Sequence, residues 1–265
     1  MRNLKTCSAT GGDPERPMSE AEWLACDDPT LMLRALRGKA SERKLRLLIC
    51  ACCRRFWPLL REPSMRNAVE VGEAHADDED FNDQAEHYDA AAAPLLKEIS
   101  PEIHKGTIFV DGYARQCLIQ AVLAPLTPIG GVDLTVAGTS EALMCAAEGV
   151  GRDTAEQPPR LVERWAESRR QEALKREKQA QCGLVREVFG PTLFRPVSLK
   201  PEWRSARAVA LAATSYADRT FERMPELGGV LRDAGCEESE LLGHCRGPSP
   251  HVRGCWVLDL VLGRE

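Results

Sequence analysis

The sequence has very little that marks a catalyst. It has no G-x-x-x-x-G-K-[ST] loop, no G-x-G-x-x-G following a strand and no G-x-S-x-G turn. Phosphate cradles and the common serine nucleophile elbow are therefore unsupported. Histidine is scarce: His75, His87, His104, His244 and His251 are the whole supply, which leaves little room for a triad. There is no membrane-length apolar run, because the longest stretch, Cys117 to Leu126, is broken by Gln120 and Pro125. Met1 to Pro17 lacks the apolar core of a secretory signal. The expectation is a cytoplasmic chain with no membrane partner, its 11 cysteines reduced and mostly buried as small hydrophobes. The net charge of −5 gives nucleic acid no whole-chain attraction.

What is present is the composition of a globular protein, 43% apolar and 28% charged in 265 residues, enough for a real core. Helix signals recur throughout. Ser19-Glu20-Ala21-Glu22 is a capping box ahead of Trp23 and Leu24. Asp28-Pro29 places a cap and a first-turn proline on a helix that Gly38 stops. After Ser41, the residues Leu45, Ile49, Cys52, Phe56 and Leu60 recur on one helical face, leaving Arg43, Lys44, Arg46, Arg54 and Arg55 for the others. Pro63-Ser64 caps the next helix, to about Ala76. Arg160 to Phe189 reads as one long helix stopped by Gly190-Pro191, anchored at its apolar ends and solvated between. Pro201 to Ala213, Pro225 to Ala234, Glu237 to His244 and His251 to Leu262 read as four more helices. Residues 94–138 are poorly legible, with a short strand conceivable at Thr107 to Val110, and Thr139 or Ser140 caps a short helix.

The fold class expected is all-α, an irregular bundle of about ten helices with room for two subdomains. Residues 1–17 read as a disordered extension, 18–150 as an N-terminal helical subdomain, and 160–265 as a C-terminal one carrying the long charged helix. The Gly- and Pro-marked connector at 149–159 is the candidate boundary.

The richest chemistry lies near the C-terminus. His244, Cys245, His251 and Cys255 put two histidines and two cysteines within twelve positions, a candidate zinc set. His251 and Cys255, four apart, would share a helix face that Asp259 continues. This spacing is no recognised C-x-x-C pair, and Val252, Cys255, Trp256, Leu258 and Leu262 also read as a core stripe. Core cysteine and a hydrogen-bonded histidine is therefore the favoured reading, with zinc the alternative and no other cofactor indicated. Arg246 and Arg253 flank the turn and read as salt-bridge partners.

Cys50, Cys52 and Cys53 share one helix. Successive residues point about 100° apart, so their thiols cannot all reach one ion, and core packing is preferred. His75, Asp77, Glu79, Asp83, Glu86, His87 and Asp89 form an acidic segment that could serve acid–base or metal chemistry. It lacks H-E-x-x-H and calcium-loop spacing, so a solvated acidic face is preferred. Arg160 to Lys178 holds seven basic and four acidic residues but one aromatic, Trp165, so it has no stacking platform for single strands. Its basic positions Arg164, Arg169, Arg170 and Lys175 are the candidate contacts with another protein.

Three segments, Met18-Ser-Glu-Ala-Glu-Trp-Leu-Ala-Cys26, Gly38-Lys-Ala-Ser-Glu-Arg-Lys-Leu-Arg46 with Cys50-Ala-Cys-Cys-Arg-Arg55, and His251-Val-Arg-Gly-Cys-Trp-Val-Leu-Asp259, resemble an uncharacterised paralogous family of planctomycete bacterial proteins. The resemblance covers roughly half the chain, at both ends. It implies no activity and no catalytic residue. It does imply that residues 1–17 lie outside the shared unit. The functional expectation is a non-enzymatic helical protein-interaction or regulatory module, with a zinc protein or metalloenzyme as the alternative.

Overall fold

The computed structural model describes residues 16–77, 90–95, 119, 121–126, 161–248 and 250–264, and within 161–170 gives only Ser168 beyond the backbone. Among these residues the fold is all-α, with no strand. The helices are α1 (Glu20–Ala25), α2 (Pro29–Ala35), α3 (Glu42–Arg54), α4 (Pro63–Asp77), α5 (Leu161–Phe189), α6 (Ala206–Asp218), α7 (Met224–Asp233), α8 (Ser239–Arg246) and α9 (Trp256–Leu262). Short 3-10 turns occur at Trp57–Leu59, Ala124–Leu126, Pro201–Trp203 and Phe221–Arg223. The possible strand at 107–110, the helix after 139 and the connector at 149–159 lie outside the described residues.

The first helices begin where local chemistry requires. Ser19 Oγ accepts from the Glu22 amide at 3.3 Å, while the Ser19 amide donates to Glu22 Oε2 at 2.9 Å, closing the capping box. Asp28 accepts from the Thr30 amide at 2.9 Å, with Pro29 in the first turn. Ser41 accepts from the Lys44 amide at 3.3 Å. Each cap contributes about 1 kcal/mol.

Three helices differ from expectation. The helix after Ser41 ends at Arg54, short of Phe56 and Leu60, and Trp57–Leu59 is a 3-10 turn with Pro58 in it. The stretch after Pro201 is a 3-10 turn, and α6 restarts at Ala206 because Ser205 offers a new cap to the Ala208 amide. The last helix begins at Trp256 rather than His251. Gly254 has φ +84, which interrupts any helix, and Cys255 is the extended residue before the first turn. His251 and Cys255 therefore do not share a helix face.

Apolar burial forms two clusters. In the first, α3 is enclosed by α4, α5 and the Ala124–Leu126 turn, and α2 also lies on α5. Burial of α3 is wider than one stripe: every residue from Leu45 to Cys53 is buried, including Arg46 at 2% exposure. Arg46 reaches the Pro125 carbonyl and Glu42, so one expected surface arginine is an internal strut. The second cluster is built from α6, α7, α8 and α9 around Leu227, Leu231, Leu241 and Val257. The end of α5, with Leu184, Val185, Val188 and Phe189, belongs to the first.

Charge bridges the two clusters. Arg43 of α3 grips Asp259 of α9 through two bonds, at 2.9 and 3.0 Å, and also reaches Asp77 at 2.9 Å. Lys44 Nζ stands 2.6 Å from Asp259 and donates at 3.0 Å to the Val188 and Gly254 carbonyls. Glu73 of α4 is held by Arg54 and by Arg219, the residue that ends α6. This clamp puts the end of α5 beside the start of α9.

Candidate metal centre

Four donors meet at that junction: Glu187, His244, His251 and Cys255, with ligand atoms all within 4.8 Å of one another. Each arrives by a separate device. Glu187 is in the last turn of α5, which stops at Gly190 with φ +54. His244 is in the last turn of α8. The chain then turns back, carrying His251 in the loop and Cys255 at the cap of α9.

The distances are close. Glu187 Oε1 is 2.9 Å from His251 Nδ1, and Glu187 Oε2 is 3.3 Å from His244 Nε2. His244 Nε2 is 3.2 Å from Cys255 Sγ. A tetrahedron with zinc–ligand bonds of about 2.0–2.3 Å has edges of roughly 3.3–3.7 Å. These three contacts would have to open slightly, and the widest separation in the set, up to 4.8 Å, would have to close, for the cluster to enclose such an ion.

Burial makes the electrostatics sharp. Glu187 is 2% exposed and Cys255 fully buried. Burial by itself raises the Glu187 carboxyl, but the facing His244 and His251 more than offset it and hold it at about 2. Burial, then the nearby Glu187 charge, pushes the Cys255 thiol well above its ordinary value. The carboxylate is ready to ligate, whereas the thiol would have to release its proton to solvent as a cation binds. His251 faces Glu187 through Nδ1, while its Nε2, on another edge of the ring, is buried with no hydrogen-bond partner.

The sequence proposed His244, Cys245, His251 and Cys255. The structure brings three of these together and replaces Cys245 with Glu187. Cys245 points into the second apolar cluster, its Cβ packed where a Cβ on Gly228 would fall 2.9 Å away, and burial pushes its thiol to about 12. Asp259, expected to continue the metal face, is consumed by Arg43 and Lys44. Glu187 lies in the apolar end of the long helix, a stretch read as an anchor and not as a site. Its available sign was position: it sits three residues after Leu184 among Val185, Val188 and Phe189, all buried.

Among the described residues, the remaining candidates form no second cluster of metal-competent donors. Cys50 and Cys53 lie in the core, where their thiols meet the Val69 and Ala121 carbonyls, and Cys52 is buried beside them. Burial raises all three thiols. Asp77 accepts from Arg43 and, at 2.9 Å, from Tyr216. His75 is half-buried in the last turn of α4. Glu79, Asp83, Glu86, His87 and Asp89 lie outside the described residues. Lys175 is exposed, while the side chains of Arg164, Arg169 and Arg170 lie outside the described residues. Arg246 is exposed, and Arg253 donates to the Tyr216 and Ala217 carbonyls at the end of α6.

Compared with protein-family models, curated proteins and solved structures, the chain matches none. The geometry of the junction is thus the basis for a functional reading.

Proposed function

We propose that this chain is a non-catalytic helical module stapled by one zinc-class ion at Glu187, His244, His251 and Cys255. The observation that supports it is the convergence of four ligand-competent side chains, from three separate segments, within 4.8 Å. The donor set mixes a thiolate, two imidazoles and a carboxylate, which suits zinc and not calcium or magnesium. Thiolate and carboxylate balance the dication, so the buried site is neutral when loaded. Four protein ligands leave no open position, the pattern of a structural rather than a catalytic zinc.

The test is elemental analysis of protein purified without chelator, followed by cobalt reconstitution. About one ion per chain is expected, with the thiolate-to-cobalt absorption of a tetrahedral site. Glu187→Gln and Cys255→Ser should lose the ion, whereas Cys245→Ser should keep it. A wild-type chain that binds neither zinc nor cobalt would end this reading.

The module's partner, on this reading, is another protein, met by the exposed stretch of α5. Glu172 and Arg176 there form an exposed pair at 2.9 Å, and Lys175 projects into solvent. Charge reversal at Arg164, Arg169, Arg170 and Lys175 should abolish partner capture from a reducing cytoplasmic extract; a full set of retained partners would reject the surface. The resemblance to planctomycete proteins is compatible with such a role and supplies no activity.

A further inference from the structure

The indole of Trp256 lies beside His244 of the four-donor cluster, and both rings line a cavity of about 260 Å³ together with Trp23, Leu24, Arg186 and Pro191. Trp256 Nε1–H donates to His244 Nδ1 at 3.2 Å, with the ring centroids 5.1 Å apart. An indole nitrogen is only a donor, so His244 Nδ1 must present its lone pair. The ring proton then sits on Nε2, the atom that faces Glu187 Oε2 and Cys255 Sγ.

A metal ion needs the Nε2 lone pair. When a neutral imidazole ligates through Nε2, its one ring proton is on Nδ1. There it would face the indole N–H, donor against donor. The hydrogen bond and the metal bond are therefore alternatives at His244. The Trp256 ring also lies against Gly190, where a Cβ would fall 2.5 Å from it, so that side is closed to movement. The cavity is the free space beside both rings.

We propose that Trp256 sets the metal affinity of the site through His244: metal loading breaks the Trp256–His244 hydrogen bond and releases the indole N–H toward the cavity. This rests on the zinc reading above. Trp256 touches no metal and acts as a positioning residue. Metal occupancy is thereby converted into a change in a cavity wall.

The test is a zinc titration of the metal-free full chain with two readouts. Bound zinc is measured by competition with a chelating dye. The indole N–H resonance of Trp256, assigned by its loss in Trp256→Phe, is followed by nitrogen–proton correlation. The expected result is an upfield shift and faster solvent exchange of that proton as zinc binds. Trp256→Phe has no hydrogen bond to give up and should bind zinc roughly five-fold more tightly, the effect of one ordinary hydrogen bond. Zinc binding with an unmoved Trp256 resonance overturns this proposal and leaves the metal centre standing. Failure of the chain to bind zinc removes both. Should the Phe variant not fold, the Trp256 indole resonance is picked out among the five tryptophans by its through-space contact with the His244 ring, and its response to zinc in the wild-type chain decides the question.

Discussion

Asp259→Asn should partly undock the C-terminal cluster from α3. Asp259 is 1% exposed and accepts two bonds from Arg43, with Lys44 Nζ 2.6 Å away. Asparagine keeps the shape but removes the charge, and its amide hydrogens face the guanidinium or the ammonium. Removing one member of a buried ion pair costs about 3–5 kcal/mol. Here the cations retain other partners: Arg43 keeps Asp77, and Lys44 keeps the Val188 and Gly254 carbonyls. Their side chains are also 17% and 13% exposed, so water relieves part of the loss. A loss of about 3 kcal/mol is expected, which for a chain of this size lowers the Tm by roughly 6–12 °C. Urea unfolding of the metal-free protein measures it. A loss below about 1 kcal/mol would refute the claim that this clamp joins the two clusters.

Three other perturbations test separate parts of the structure. Gly190→Ala should destabilise by about 2–4 kcal/mol, since φ is +54 and the new Cβ would fall 2.5 Å from the Trp256 ring; a stability within about 0.5 kcal/mol of wild type would contradict the packing. Gly228→Ala should cost about 1–3 kcal/mol through its 2.9 Å approach to Cys245, and on the proposed zinc reading it should leave the zinc stoichiometry unchanged, because Cys245 lies outside the four-donor cluster. In metal-free protein the Glu187 carboxyl is depressed from 4.5 to about 2, so its contribution is fully present above pH 4.5 and is lost as pH falls through about 2. On the order of 3 kcal/mol rides on that group, and the slope of urea midpoint against pH over this window should flatten in Glu187→Gln. Equal slopes in the two proteins would show that Glu187 is not held as an anion.

Local signals were legible because their physics spans a few residues. The caps at Ser19, Asp28 and Ser41 need only the amides two or three positions on. The stop at Gly190 needs only a backbone that tolerates positive φ. Three of the four donors at the junction were legible for the same reason: His244, His251 and Cys255 are crowded into one stretch of sequence. The choice between Cys245 and Glu187 was not local. Cys245 is one residue from His244, but the helix rotates it about 100° away into the second cluster. Glu187 lies 57 positions before His244 in sequence and reaches it only because α5 packs against α3 and ends beside α9.

The sequence alone determined that this protein is helical, where its N-terminal helices begin, and that its C-terminal turn is rich in metal-competent side chains. Capping, periodicity and rare-residue clustering are short-range properties, written in neighbouring positions. Tertiary structure decided which charges are buried and which donors converge. It turned Arg43, Arg46 and Asp259 from expected surface or site residues into internal braces, and made Glu187 the fourth donor in place of Cys245. The physical reason is that burying a charge is unfavourable until a partner from a distant segment meets it, so its role exists only once the helices have packed.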